Sequence, residues 1–201
     1  MRHRSMLIAM LVAATAAFPA SAEPNAESKR LMKLRDAERY EVDTPHSRIK
    51  AGAARVAVRA PVPAVRKVVT DFKNYSKFIS KFDKARVIGR KGDQTDVYLQ
   101  VPILKGAAKI WAVVRFDPPK SVNGEDVIQG RMIKGNVDRL DAKWRIKKID
   151  AHNTQLHLEL LIVPKLPVPG SLVTGEVAYA ADEAVMGSRN RAEKKPSEAK
   201  K

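Results

Sequence analysis

The chain has 201 residues, a formal net charge of +16 from 38 Lys and Arg against 22 Asp and Glu, and no cysteine. The absent cysteine excludes a disulfide framework, a thiolate nucleophile, a Cys-ligated zinc, an iron–sulfur cluster and a lipid-modified cysteine. The length suits one domain with a single core. At the N-terminus, a basic start with Arg2 and Arg4 leads into an apolar run from Met6 to Phe18, then Pro19 and Ala20-Ser21-Ala22. That pattern reads as a secretory signal peptide over residues 1–22, cut near Ala22, with the periplasm as the expected address. The apolar run is shorter than the roughly 20 residues a bilayer span needs. The cut removes both arginines and lowers the charge from +16 to +14.

Residues 23–47 form a charged N-terminal arm. An amphipathic helix is expected over Glu27 to Tyr40, with Leu31 and Leu34 on one side and Lys29, Arg30, Lys33, Arg35 and Arg39 around the rest, and with Tyr40–Val42 able to extend into a strand. From residue 48 the character changes. Ala54, Val56, Val58 and Ala60 alternate with Arg55, Ala57 and Arg59 at the period of a half-buried strand. Pro61 and Pro63 stop it, and Pro63 suits the first turn of a helix over Ala64 to Asp71. A second short helix is expected from Tyr75 to Phe82, offering Phe78, Ile79 and Phe82.

Six further strands follow. Ala85–Arg90 ends at the Lys91-Gly92-Asp93 turn, Thr95–Val101 points Val97 and Leu99 to one side, and Lys109–Phe116 does the same with Ile110, Ala112 and Val114. Pro118-Pro119 and Asn123-Gly124 mark a turn region. Val127–Ile133 and Arg139–Ile149 continue the alternation, the latter placing Leu140, Ala142, Trp144 and Ile146 together; Gln155–Val163 places Leu156, Leu158, Leu160 and Ile162 together. By the same alternation Trp111 and Tyr98 fall on the other face. One-sided strands belong in an antiparallel sheet with one covered face. A helix from Ser171 to Arg191 is the one long helix left to cover it, with Val173, Val177, Ala180, Ala181, Ala184 and Val185 along one side. The domain ends at residue 193, and the basic tail, 194–201, is expected to be disordered.

That order, read with Ala60-Pro61-Val62-Pro63-Ala64-Val65, with Val69-Thr70-Asp71-Phe72-Lys73-Asn74-Tyr75-Ser76-Lys77-Phe78-Ile79, and with Trp144 on a late strand, resembles the START-like (SRPBCC) superfamily. Its members include coenzyme Q-binding proteins and the polyketide cyclase/dehydrase and lipid transport proteins. The resemblance covers about Ala51 to Glu193. It implies an α+β helix-grip fold: a curved antiparallel sheet of about seven strands wrapped around a long C-terminal helix, with two short helices between strands one and two. It also implies an apolar cavity between sheet and helix. The expected walls are Val97, Leu99, Ile110, Ala112, Val114, Trp144, Ile146, Leu158 and Leu160 from the sheet, with Val173 and Val177 from the helix. The chain departs from the family in the Asp141-Ala142-Lys143 before that Trp and in the small residues Gly175, Ala178, Ala180, Ala181 and Ala184, which either enlarge a cavity or let the helix lie close to the sheet.

Catalytic and metal chemistry find little support. His3 leaves with the signal, His46 lies in a linker, and His157 alternates away from the leucines, so it reads as a solvent-facing or edge residue. Asp93, Asp96, Asp117, Glu125, Asp126, Asp138 and Asp141 lie in turns or at outward strand positions. There is no phosphate-binding loop, nucleophile elbow or dinucleotide fingerprint. No catalytic residue, metal or cofactor is expected. The cations are spread rather than interleaved with aromatics, so nucleic acid is not the expected partner, and contact with an anionic membrane surface stands beside a merely solvated exterior. The leading expectation is an exported module that binds, and in one version transports, a lipid-like or isoprenoid ligand. The alternatives are a cyclase- or aromatase-like enzyme using the same cavity, and an envelope-surface interaction protein with a filled core.

Overall fold

The computed structural model describes residues 25–45, 47, 49–103, 108–165 and 169–194. The expected signal peptide, His46 and the tail beyond Lys194 lie outside the described residues. In chain order the elements are α1 (Ala26–Leu31), β1 (Glu38–Val42), β2 (Ala51–Val58), α2 (Val62–Val69), a 3-10 turn (Phe72–Asn74), α3 (Tyr75–Phe78), β3 (Lys84–Lys91), β4 (Gln94–Ile103), β5 (Ala108–Phe116), β6 (Lys120–Val122), β7 (Glu125–Gly135), β8 (Arg139–Lys148), β9 (Thr154–Val163) and α4 (Gly170–Glu193). The strands form one curved antiparallel sheet in the order β1-β2-β9-β8-β7-β5-β4-β3, with β6 paired to β7. This is the helix-grip arrangement, with nine strands where seven were expected.

Both additional strands have local causes. Asn123 and Gly124 have φ of 51° and 79° and join Val122 to Glu125. A two-residue loop with both residues at positive φ matches the twist of a hairpin, so it pairs the residues on either side instead of merely reversing the chain. β1 arises because the arm's helix stops at Leu31, and the chain turns back to pair Glu38 with Arg55 and Val42 with Ala51. The second short helix also ends early. Ile79 adopts φ −112°, ψ 107°, so the helix covers only Tyr75–Phe78, although Ile79 is still buried.

α4 packs against β2, β9 and β1, and touches α2 and α3. Its buried stripe is Thr174, Val177, Ala178, Ala181, Ala184, Val185 and Ser188. The stripe is displaced from the expected one, with Thr174 and Ala178 inside while Val173 and Ala180 are half-buried. Close approach explains this. A side-chain carbon added at Gly52 would lie 2.2 Å from the Ala178 backbone nitrogen, and one at Gly187 would lie 2.1 Å from the Phe78 carbonyl oxygen. The small residues therefore draw the helix onto the sheet at Ala178, Ala181 and Ala184, while Gly175 faces open space.

Substitution of Gly187 by Ala should thus push backbone against backbone and destabilise the fold by about 1–3 kcal/mol in urea unfolding. Gly175→Ala, whose methyl meets nothing, should instead be neutral or stabilise by up to ~1 kcal/mol through helix propensity.

Candidate ligand-binding site

Register places most of the expected wall residues side by side on the concave face. Val97 faces Val114 and Leu99 faces Ala112 across β4 and β5, while Trp144 faces Leu158 and Ile146 faces Leu156 across β8 and β9. Val97, Leu99, Ala112, Val114, Trp144, Ile146 and Leu158 are buried in one core, with Ile110 and Leu160 packed half-buried against it. Val177 is buried on α4, and Val173 is half-buried one turn earlier; neither joins that cluster. Tyr98 and Trp111 stack on each other at 6.1 Å, at register positions alternate to Leu99 and Ala112, as alternation requires.

One end of the concave face is closed by aromatic side chains. The Phe72 ring stacks on Phe116 at 4.5 Å, and Tyr75 meets Phe72, Phe78 and Phe82 at 5.5, 5.6 and 5.7 Å. The Phe116 ring lies over Gly130, where any side chain would strike it. The Tyr75 hydroxyl donates to the Val69 carbonyl, and burial pushes its pKa well above the usual phenol value. An ion pair seals the neighbouring rim, because Arg66 of α2 holds Asp126 at 2.6 Å (Nε to Oδ2). Asp126 pairs with Ile146 and so lies on the concave side, not in a solvated turn or at an outward strand position, the two placements expected for the acids. Its Arg66 partner compensates the cost of that placement.

The opposite end, beside the first turns of α4, is different. There Ile110, Met132, Leu160, Ile162 and Val173 are only half-buried. Along this face, Val97, Leu99 and Val101 of β4, Ile110 to Phe116 of β5, Leu140 to Ile146 of β8 and Leu156 to Ile162 of β9 supply no inward titratable side chain. Among the described residues, no three acidic or histidine side chains come together as a metal-holding group. Tyr75, Met132 and Ile162 were absent from the expected walls. Ile162 was visible in the strand alternation, and Tyr75 stands at helical spacing from Phe78, Ile79 and Phe82.

The outer face carries the polar chemistry. His157 is not solvent-facing: it is buried beneath the N-terminal arm. The Gln155 carboxamide nitrogen lies 2.7 Å from His157 Nε2, the Tyr40 hydroxyl 3.4 Å from Nδ1, and the Ser28 hydroxyl donates to Gln155 Oε1 at 3.1 Å. Because the Gln155 oxygen already accepts from Ser28, its nitrogen donates to Nε2, which must be the unprotonated nitrogen of a neutral ring. Around it Arg55 pairs with Glu38 (2.5 Å) and with Glu27, lies over the Tyr40 ring at 5.2 Å, and Arg145 pairs with Glu159 at 2.5 Å. Burial first, then the charges of Arg145, Arg55 and Lys147, push the His157 pKa down to about 3. A surface hollow of about 240 Å³ on this same face is walled by Arg131, Arg139, Asp141, Lys143 and Glu159, a lining too charged for an apolar ligand.

Comparison with known proteins agrees with this architecture. The family described as polyketide cyclase / dehydrase and lipid transport matches residues 58–184. A START superfamily protein from Mycobacterium smegmatis superposes with a TM-score of 0.62 at 19% identity, covering 70% of this chain and 95% of that one. A STAR-related lipid transfer protein from Xanthomonas axonopodis gives 0.68 at 14% identity, covering 80% and 96%. The Zhui aromatase/cyclase from Streptomyces sp. R1128 gives 0.55 at 17% identity, covering 77% and 92%. No curated protein matches by sequence.

The buried histidine generates a pH prediction. A folded pKa of about 3 lies below the unfolded value near 6.5, so the unfolded chain takes up a proton that the native state refuses. Stability is therefore complete above pH 6.5 and falls as the pH drops towards 3. Between pH 7 and pH 5 the loss should be about 2 kcal/mol in urea unfolding, and His157→Gln should flatten that interval.

Proposed function

Because the chain belongs to the polyketide cyclase / dehydrase and lipid transport family, we propose that it is an exported binding module, holding a lipid-like or isoprenoid ligand between the concave face of its sheet and α4, in the manner of a lipid carrier. The carrying observation is the contrast between the two ends of the concave face. Aromatic rings fill one end, whereas Ile110, Met132, Leu160, Ile162 and Val173 remain half-buried at the other. Apolar side chains left partly open beside a close-packed core supply the walls that an apolar ligand needs.

The uniformly apolar inner positions of β4, β5, β8 and β9 favour binding over catalysis, and the acid that β7 places on this side, Asp126, is held by Arg66 at the rim. A cyclase-like enzyme requires an acid or base within hydrogen-bonding reach of its substrate. Tyr75, the one phenol in this core, already donates to Val69 and has its pKa raised by burial. The export half of the proposal rests on the tripartite pattern of residues 1–22.

Two substitutions test the seat. Val173→Trp and Ile110→Trp begin from half-buried positions, so the larger rings should occupy ligand space without straining the core. Native mass spectrometry and solvent extraction of the protein recovered from the cell envelope should find an apolar molecule in the wild type and several-fold less in either variant. Ala112→Trp, starting from a fully buried methyl, should abolish retention and also destabilise by about 1–3 kcal/mol through overpacking. A wild type that yields no apolar molecule and takes up none when offered would overturn the proposal.

A further inference from the structure

β3 is the free edge of the sheet at the end opposite β1. Its eight residues include Lys84, Arg86, Arg90 and Lys91 and no acid, and all four cations are exposed. None of the four makes an ion pair among the described residues. The nearby carboxylates have other hydrogen-bond donors or face water: Asp83 accepts from Gln100 and Lys109, Asp96 from both guanidinium arms of Arg115, Asp71 from Asn74 and Asp117 from Gln94, and Asp93 is exposed; Lys84 and Lys91 act on Asp83 and Asp96 only through their charge, without a salt bridge.

Between these cations stand Val87 and Ile88, 42% and 57% exposed. Val87 pairs with Val97 and Gly89 with Asp96, so Ile88 is a bulged residue without a partner. The bulge sets two aliphatic side chains side by side at the rim, breaking the alternation a strand otherwise keeps. Beside them a hollow of about 430 Å³ lies between the 3-10 turn and the β3–β4 hairpin, with Phe72, Lys73, Val87 and Arg90 in its wall together with Asp71, Asp93 and Asp117, so the cations that can meet an anionic surface are those of the strand edge and not of the hollow.

We propose that the β3 edge is a docking surface for anionic membranes, with Val87 and Ile88 entering the boundary between headgroups and acyl chains and Lys84, Arg86, Arg90 and Lys91 engaging lipid phosphates. Charge complementarity chooses the partner, since four unpaired cations around an apolar pair match an anionic lipid surface. An added peptide strand fits less well. The bulge interrupts the even spacing of free backbone donors and acceptors, and lysine, arginine and bulges at a strand edge oppose such pairing. A second copy of β3 would set cation against cation. The surface lies apart from the ligand seat, so its test does not depend on the occupant of the cavity.

Sedimentation with phosphatidylcholine vesicles, with and without phosphatidylglycerol, tests this on the protein in the form cells process it to. The wild type should sediment with the mixed vesicles, lose that binding as salt rises, and ignore phosphatidylcholine alone. Arg86→Gln with Arg90→Gln should weaken binding by about tenfold or more, and Val87→Ser with Ile88→Ser by several-fold. Lys33→Gln with Arg35→Gln removes the same charge from the arm and should change binding by less than about twofold. All these positions are exposed, so melting temperatures should stay at the wild-type value. Equal losses from the arm and edge variants would overturn the proposal in favour of diffuse charge. Binding insensitive to the Val87 and Ile88 pair would overturn it too, as would an edge that captures an acidic peptide and no vesicles.

Discussion

A single helix has to cover the concave face of a nine-stranded sheet, and the rest of the structure follows from its being too narrow to do so. α4 reaches β1, β2 and β9 directly. The inner positions of β4, β5, β7 and β8 need another cover, because apolar side chains left in water forfeit about 25 cal/mol per Å². α2, the 3-10 turn and α3 meet that need at one end, inserting Phe72, Tyr75 and Phe78 against Phe116 and Trp144. At the other end the described residues provide no second layer, and the side chains there stay half-buried. The proposed ligand seat is where the covering elements among the described residues run out.

The arm does for the outer face of β2 and β9 what α4 does for the inner face, by different means. Its helix α1 is too short to bury much, with Leu31 and Ser28 its only buried residues. It is held instead by a hydrogen-bonded line from Ser28 through Gln155 and His157 to Tyr40, flanked by the Arg55 and Arg145 ion pairs. Buried polar groups stabilise only when each finds a partner, and here the line supplies one for every ring and carboxamide nitrogen of His157 and Gln155 that it reaches. The arm is therefore part of the sheet and not a loose leader.

Much of the fold was legible because period-two alternation is a strong signal wherever one face is covered. The strands carrying Val97 and Leu99, Ala112 and Val114, and Trp144 and Ile146 were read with the correct faces for that reason, and most of the wall residues they supply meet in one core. What escaped was set by tertiary partners. His157 occupies an outward position, but outward means solvent only if nothing lies over it, and α1 and β1 do. Asp126 looked like an ordinary hairpin acid until Arg66 came across from α2 to neutralise it. The buried stripe of α4 shifted because the backbone contact at Gly52 fixes the rotation of the helix, and apolarity alone had favoured Val173.

The same contact revises where room for a ligand lies. The small residues of α4 could be read either as volume left open or as permission for close approach. Gly52 against Ala178 and Gly187 against Phe78 answer for most of the helix: two backbones meet there, and Ala181 and Ala184 lie dry beneath. Gly175 and Leu172 are exposed because they stand off the stripe that faces the sheet, whereas Thr174 beside them is buried and donates to the Lys50 carbonyl at 3.2 Å. The first turn, Gly170–Val173, is the part of the helix that contributes no residue to the buried stripe, and Val173 is half-buried there as Leu160 and Ile162 are on β9. Any opening motion is therefore confined to that first turn, because movement from Thr174 onward would break its bond to Lys50 and separate the packed backbones at Gly52 and Gly187.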